Sequence, residues 1–118
     1  MLPPVYATLH GAAAVAAIVA DRIYPHGEAP QGVNQPYVTW QQVGLGPALC
    51  LSEAPSIDRC VIQLDCWHPT SAGLKTLALA VRDAVEPIAC ITGAPVDARD
   101  LETRLYRYAW QADWWLSR

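Results

Sequence analysis

The chain has little charge, few histidines and no hydrophobic run long enough to cross a bilayer, and each shortage excludes a class of function. Charged residues make up 16% of the 118, and only eight are Lys or Arg. Those eight are spread along the chain without a cluster, so there is no electrostatic footprint for wrapping nucleic acid. The Ala-rich run from Gly11 to Ala20 is short and is followed at once by Asp21 and Arg22, which excludes it as a membrane span. No cleavable signal peptide is recognisable, so the expected setting is a reducing cytoplasm in which Cys50, Cys60, Cys66 and Cys90 remain thiols. Cys60 and Cys66 share one face of a strand but stand roughly 20 Å apart, too far to bond each other or share a zinc.

Chemical motifs are equally sparse. His10, His26 and His68 lack the spacing of a metal pair or of a nucleophile's base. His68 lies two residues from Cys66, but Cys66 belongs to the core face of its strand, where a thiol is packing rather than chemistry. Gly44-Leu45-Gly46-Pro47 has neither the lysine nor the helix start of a phosphate loop. Asp97, Asp100 and Glu102 are interleaved with Arg99 and Arg104, the pattern of a solvated charged turn. The residues thus assign no catalytic group, no metal and no cofactor.

What is present is a hydrophobic content of 53%, enough for one domain spanning 1–118 to bury a core without metal or disulfide help. Ten prolines imply several fixed turns, and the net charge of −3 is modest. The organising stretch is Ile57 to Pro69. Cys60, Ile62, Leu64 and Cys66 alternate with Arg59, Val61, Gln63, Asp65 and Trp67, as a strand with one core face requires. Pro69 stops the strand, and Thr70 or Ser71 caps the helix that follows to about Glu86. That helix places Leu74, Leu77, Ala78, Val81 and Val85 on one side, with Lys75, Arg82, Asp83 and Glu86 opposite.

Before this unit, a first helix is expected from Pro3 or Pro4 to about Val19, with Val5, Leu9, Ala12, Ala16 and Val19 on its stripe and Gly11 as a possible break. Asp21 to Pro25 is a short extended piece that anchors Ile23 and Tyr24. His26 to Pro36 reads as a long loop, and Tyr37 to Val43 as a strand. Gly44 to Ser56 is a second long connection carrying Leu45, Leu49, Cys50 and Leu51, too apolar for an idle surface loop. It either tucks over its own core or is an arm that buries against another chain. After the main helix, Ile88 to Thr92 is a further strand, Gly93 to Thr103 a turn-rich stretch, and Arg104 to Leu116 a long aromatic strand.

This order specifies an α+β domain: a largely antiparallel sheet of about four strands, with two or three helices on one face. The other face is left open. Arg59, Asp65, Arg107 and Asp113 can pair across it if their strands are neighbours, and Val61, Trp67 and Trp115 would form an apolar patch of the kind that meets a partner.

Five segments in order, RIYP (Arg22–Pro25), PYVTWQ (Pro36–Gln41), RCVIQLDCW (Arg59–Trp67), AVRDAVE (Ala80–Glu86) and DLETRLYRYAWQADWW (Asp100–Trp115), resemble the bacteriophage tail completion family. That family is related to tail terminator and tail-to-head joining proteins, and the likeness covers nearly the whole chain. The resemblance implies a virion protein that is structural rather than enzymatic. It would form a homo-oligomeric ring, expected to be a hexamer, that caps the tail tube protein and docks to the head-tail connector while DNA passes through the lumen without specific binding. No membrane is involved. Ring contacts are head-to-tail and need two different patches, for which the arm with Leu45, Leu49 and Leu51 and the open face with Val61, Trp67, Arg107, Asp113 and Trp115 are the candidates. A connector stopper protein, a small ligand-binding α+β module and, more remotely, a cysteine-dependent enzyme are the competing readings.

Overall fold

A computed structural model describes residues 4–25, 35–47, 57–100 and 104–117. The elements in chain order are α1 (Val5–His10), α2 (Ala13–Val19), β1 (Ile23–Pro25), β2 (Tyr37–Pro47), β3 (Ile57–His68), α3 (Ser71–Val85), β4 (Ala89–Arg99) and β5 (Tyr106–Ser117). β3 is the centre. It pairs antiparallel with β2 on one side and with β5 on the other, in a five-stranded sheet ordered β1-β2-β3-β5-β4. The strand beyond the expected four is the DRIYP piece, whose Ile23, Tyr24 and Pro25 pair parallel to Val38, Thr39 and Trp40.

The alternation of β3 decides which face is covered. Cys60, Ile62, Leu64 and Cys66 are fully buried, together with Val38 of β2 and Ala112 of β5, and Trp110 and Trp114 lie beside them. The helices pack onto that face. From α3, Leu74, Leu77, Ala78, Val81 and Val85 are all buried, and Thr70 caps the helix by accepting from the Gly73 amide at 3.1 Å. From α1 and α2, Val5, Leu9, Val15 and Val19 complete the core. Val15 replaces the expected Ala12 and Ala16 because the first helix breaks. α1 closes at Gly11, Ala12 is extended, and α2 restarts with its buried side re-phased.

Two strands run further than the sequence suggests. β2 continues past Val43 to Pro47 through an irregularity between Gln42 and Gly44, so Leu45 is a strand residue paired with Cys60 and the connection to β3 shortens to 48–56. β4 continues past Thr92 to Arg99, with a register shift between Thr92 and Val96. Gly93 and Pro95 read as a turn, but β4 is the sheet edge, where a missing amide hydrogen and a bulge are tolerated.

α3 is held to β3 by His68. Its Nδ1 accepts from the Thr70 amide at 3.0 Å, and its ring lies so close to Gly73 that a Cβ there would collide with it. The bond needs an unprotonated Nδ1, and burial lowers the His68 pKa from its ordinary 6.5. The unfolded chain therefore binds this proton more readily than the folded one. Stability from the group is complete above about pH 6.5 and falls as the pH drops through the lowered folded value. Urea midpoints measured between pH 7 and pH 5 should decline on the acid side, and His68→Gln should flatten that decline.

Candidate functional site

The sheet face opposite the helices, uncovered among the described residues, is built by the residues that alternate with the core, and the register fixes their neighbours. Trp67 lies opposite Arg107, Val61 opposite Asp113 and Arg59 opposite Trp115. The four charged residues pair diagonally across β3 and β5. Arg107 donates to Asp65 Oδ2 through Nε at 3.0 Å, with its Nη2 at 2.9 Å from the same oxygen, while Gln63 donates to Oδ1 at 3.0 Å. Arg59 stands 3.6 Å from Asp113. These pairs are half-buried rather than free in solvent, so they order the face as well as solubilise it.

At the Trp67 end an aromatic row extends the network onto β2 and β1. The Trp67 indole donates to Thr39 Oγ1 at 3.2 Å and stacks on Tyr37 with ring centroids 5.7 Å apart. Tyr24 meets Tyr37 edge-on, and the Arg107 guanidinium lies over the Trp67 ring. Tyr37 was missed as a member of this group because its place opposite Trp67 depends on the β2–β3 register, and Tyr24 because it joins only through the parallel pairing of β1, which three residues cannot announce.

Val61, Trp67 and Trp115 do not form one apolar patch. Trp67 and Trp115 pair with Arg107 and Arg59 respectively, eight residues apart along β3, or roughly 26 Å. Gln63, Asp65 and Gln111 lie between them. Trp67 is engaged by its own neighbours, whereas Trp115 is 48% exposed and, with the diagonal Val61, forms the apolar end of the face. Of the proposed arm, Leu45 is in β2, and Leu49 and Leu51 lie outside the described residues.

The helix side carries a second feature. A groove of about 500 Å³ runs between α3 and the β4–β5 half of the sheet. Lys75, Ala78, Leu79 and Arg82 form its helix wall, and Ile91, Tyr108 and Trp110 its floor. Among the described residues, α1 and α2 pack against α3, and α1 against β1 at the far edge of the sheet, which leaves the β4 side of α3 uncovered. The groove's only signal in the sequence is Leu79, an apolar residue off the core stripe and 58% exposed.

The thiols are packing groups where they are described. Cys60 and Cys66 are fully buried, and burial pushes both thiols up from their ordinary pKa. Cys90 is exposed. Alkylation with iodoacetamide followed by peptide mapping should modify Cys90 in the native protein and reach Cys60 and Cys66 only in denaturant.

An α+β domain whose sheet face opposite the helices is uncovered among the described residues and ordered by cross-strand pairs, and which has a groove beside its main helix, belongs to the class of proteins that work through surfaces. The chain matches the family described as Tail completion protein gp17 over residues 3–117 and belongs to that family. It has a structural role in a phage tail, where it contacts other tail or neck proteins of the virion. No curated protein matches it in sequence.

Proposed function

We propose that the protein is a tail terminator: a structural subunit, not an enzyme, that assembles into a hexameric ring, caps the tail tube and joins it to the head connector. The observation that carries this reading is the family match over residues 3–117 taken with an ordered, uncovered sheet face. A ring subunit must touch two neighbours, the tube below and the connector above, and so needs several distinct surfaces rather than one deep cleft. The segment 48–56 with Leu49 and Leu51, extending from the β2 strand that holds Leu45, supplies one side of the ring contact. The uncovered face, with Val61 and Trp115 at its apolar end and Trp67, Arg107 and Asp113 in its ordered part, is a second partner surface. Net charge of −3 suits a lumen through which DNA slides without sticking.

Native mass spectrometry of the purified protein, alone and mixed with polymerised tail tube protein from the same genome, tests the assignment. A sixfold complex, formed alone or only on tube ends, is the expected result. A monomer that ignores tube ends but retains a small molecule would overturn it in favour of a ligand-binding module, and a ring that binds connector but not tube would make the protein a stopper.

A further inference from the structure

We infer that the groove beside α3 is the receptor for residues 48–56 of the adjacent subunit, so that each protomer offers an apolar arm at one corner and accepts its neighbour's arm at another. The inference rests on the ring reading above and names the contact that closes the ring.

The groove's character selects the occupant. Its floor is Ile91, Tyr108 and Trp110, its wall includes the exposed Leu79, and two cations stand along the helix side: Lys75, and Arg82, which is ion-paired with Glu86 of its own helix. A matching segment needs consecutive apolar side chains followed by an acid. Residues 48–56 read Ala-Leu-Cys-Leu-Ser-Glu-Ala-Pro-Ser, with Leu49, Cys50 and Leu51 to fill the groove and Glu53 to meet a cation. The other long stretch outside the described residues, 26–34, has only Ala29 and Val33 as aliphatic side chains. Both stretches carry one glutamate, Glu28 and Glu53, so it is the apolar content that selects 48–56.

Chain length excludes the protomer's own arm. The segment leaves β2 at Pro47 and returns at Ile57, next to the paired Pro47 and Asp58. Ten Cα steps out and back reach at most about 17 Å from that point. Asp58 pairs with Leu116, whereas the floor residues Trp110 and Tyr108 pair with Leu64 and Cys66, six to eight positions further along β3. That is ~20 Å or more along the strands, and β5 lies two strands, roughly 10 Å, across from β2. Trp110 and Tyr108 are therefore beyond the arm's own reach, so an arm seated on them comes from a second copy. Arm and groove are different surfaces, so the contact is heterologous and propagates head-to-tail until it closes.

A disulfide trap tests this with the cysteine already in the arm. Cys50 is retained, Leu79→Cys is introduced in the groove, and Cys90→Ser removes the exposed thiol on β4. The oligomer, formed alone or on polymerised tube protein, is oxidised with diamide and run on non-reducing gels. One arm and one groove per protomer should yield a covalent ladder climbing to the full ring size, with peptide mapping locating the bond between position 50 and position 79. Separately, Leu79→Asp should eliminate the oligomer while leaving the monomer's urea midpoint unchanged. An oligomer that forms, yields no ladder and tolerates Leu79→Asp overturns the arm-in-groove contact and leaves the ring reading intact. A chain that stays monomeric with and without tube overturns both.

Discussion

Replacing Leu64 by alanine is expected to cost about 3–4 kcal/mol of unfolding free energy, the largest stability loss of any single truncation considered. Leu64 is fully buried at the middle of β3, with Trp40 opposite it on β2 and Trp110 opposite it on β5. Removing a buried leucine loses the transfer free energy of its methyl groups and leaves a cavity whose cost depends on how far the surroundings collapse, about 2–5 kcal/mol in all. Here collapse is restricted. The flanking indoles are rigid bicycles held in ladder register, and β3 is the strand to which both halves of the sheet attach, so the site lies in the upper part of that range. Against a total of about 5–15 kcal/mol for a domain, such a loss moves the urea midpoint by a large fraction. Leu79→Ala is the control. At 58% exposure it should change stability by less than about 0.5 kcal/mol in the monomer. Both should be measured at fixed, low protein concentration, since assembly adds stability by mass action. Equal losses at the two positions would contradict the burial pattern on which the fold rests.

The same contrast explains what was legible in the sequence. β3 and α3 could be read almost residue by residue because each has one fully covered side: Cys60, Ile62, Leu64 and Cys66 on the strand, and Leu74, Leu77, Ala78, Val81 and Val85 on the helix, are all buried as their periods require. The first helix was legible only in part. One extended residue at Ala12 shifts the phase of a 3.6-residue period, so Val15 faces the core where a continuous helix would have turned Ala16 inward. β1 was legible as an extended piece but not as a member of the sheet, and the second half of β4 lacked a signal of its own. Ile23–Pro25 is a strand because β2 lies beside it, and the stretch after Thr92 stays extended despite Gly93 and Pro95 because β5 pairs with it. The ion pairs Arg59–Asp113 and Arg107–Asp65 were foreseeable as chemistry, but their geometry needed the adjacency of β3 and β5. The groove is illegible for a different reason. Lys75, Leu79 and Arg82 sit on what the helical pattern marks as the solvent side of α3, and only the sheet's extension beyond that helix gives them a floor.

The double replacement Leu49→Asp with Leu51→Asp should abolish assembly while leaving a folded monomer. Each leucine that enters an interface contributes about 1.5–3 kcal/mol through burial of its side chain, and an aspartate brought to the same place must either give up its hydration or keep the surfaces apart. Two such changes in one contact remove about 3–6 kcal/mol of burial, and the cost of desolvating the aspartates brings the loss to about 5 kcal/mol or more. At 1.4 kcal/mol per tenfold, that is more than a thousandfold in the dissociation constant. A closed ring repeats the defect at every interface, so the loss of assembled species at micromolar protein should be complete by native mass spectrometry. The fold itself is protected, because β2 and β3 are paired from Tyr37 with Trp67 to Pro47 with Asp58, through one register shift between Gln42 and Gly44, on the described side of the connection. The far-ultraviolet circular dichroism and urea midpoint should therefore match those of the parent at concentrations where both are monomeric. A ring that survives both aspartates would remove residues 48–56 from the interface and leave the uncovered face, with Val61 and Trp115, to hold neighbouring subunits together. A monomer that unfolds instead would show that the leucines pack against their own domain.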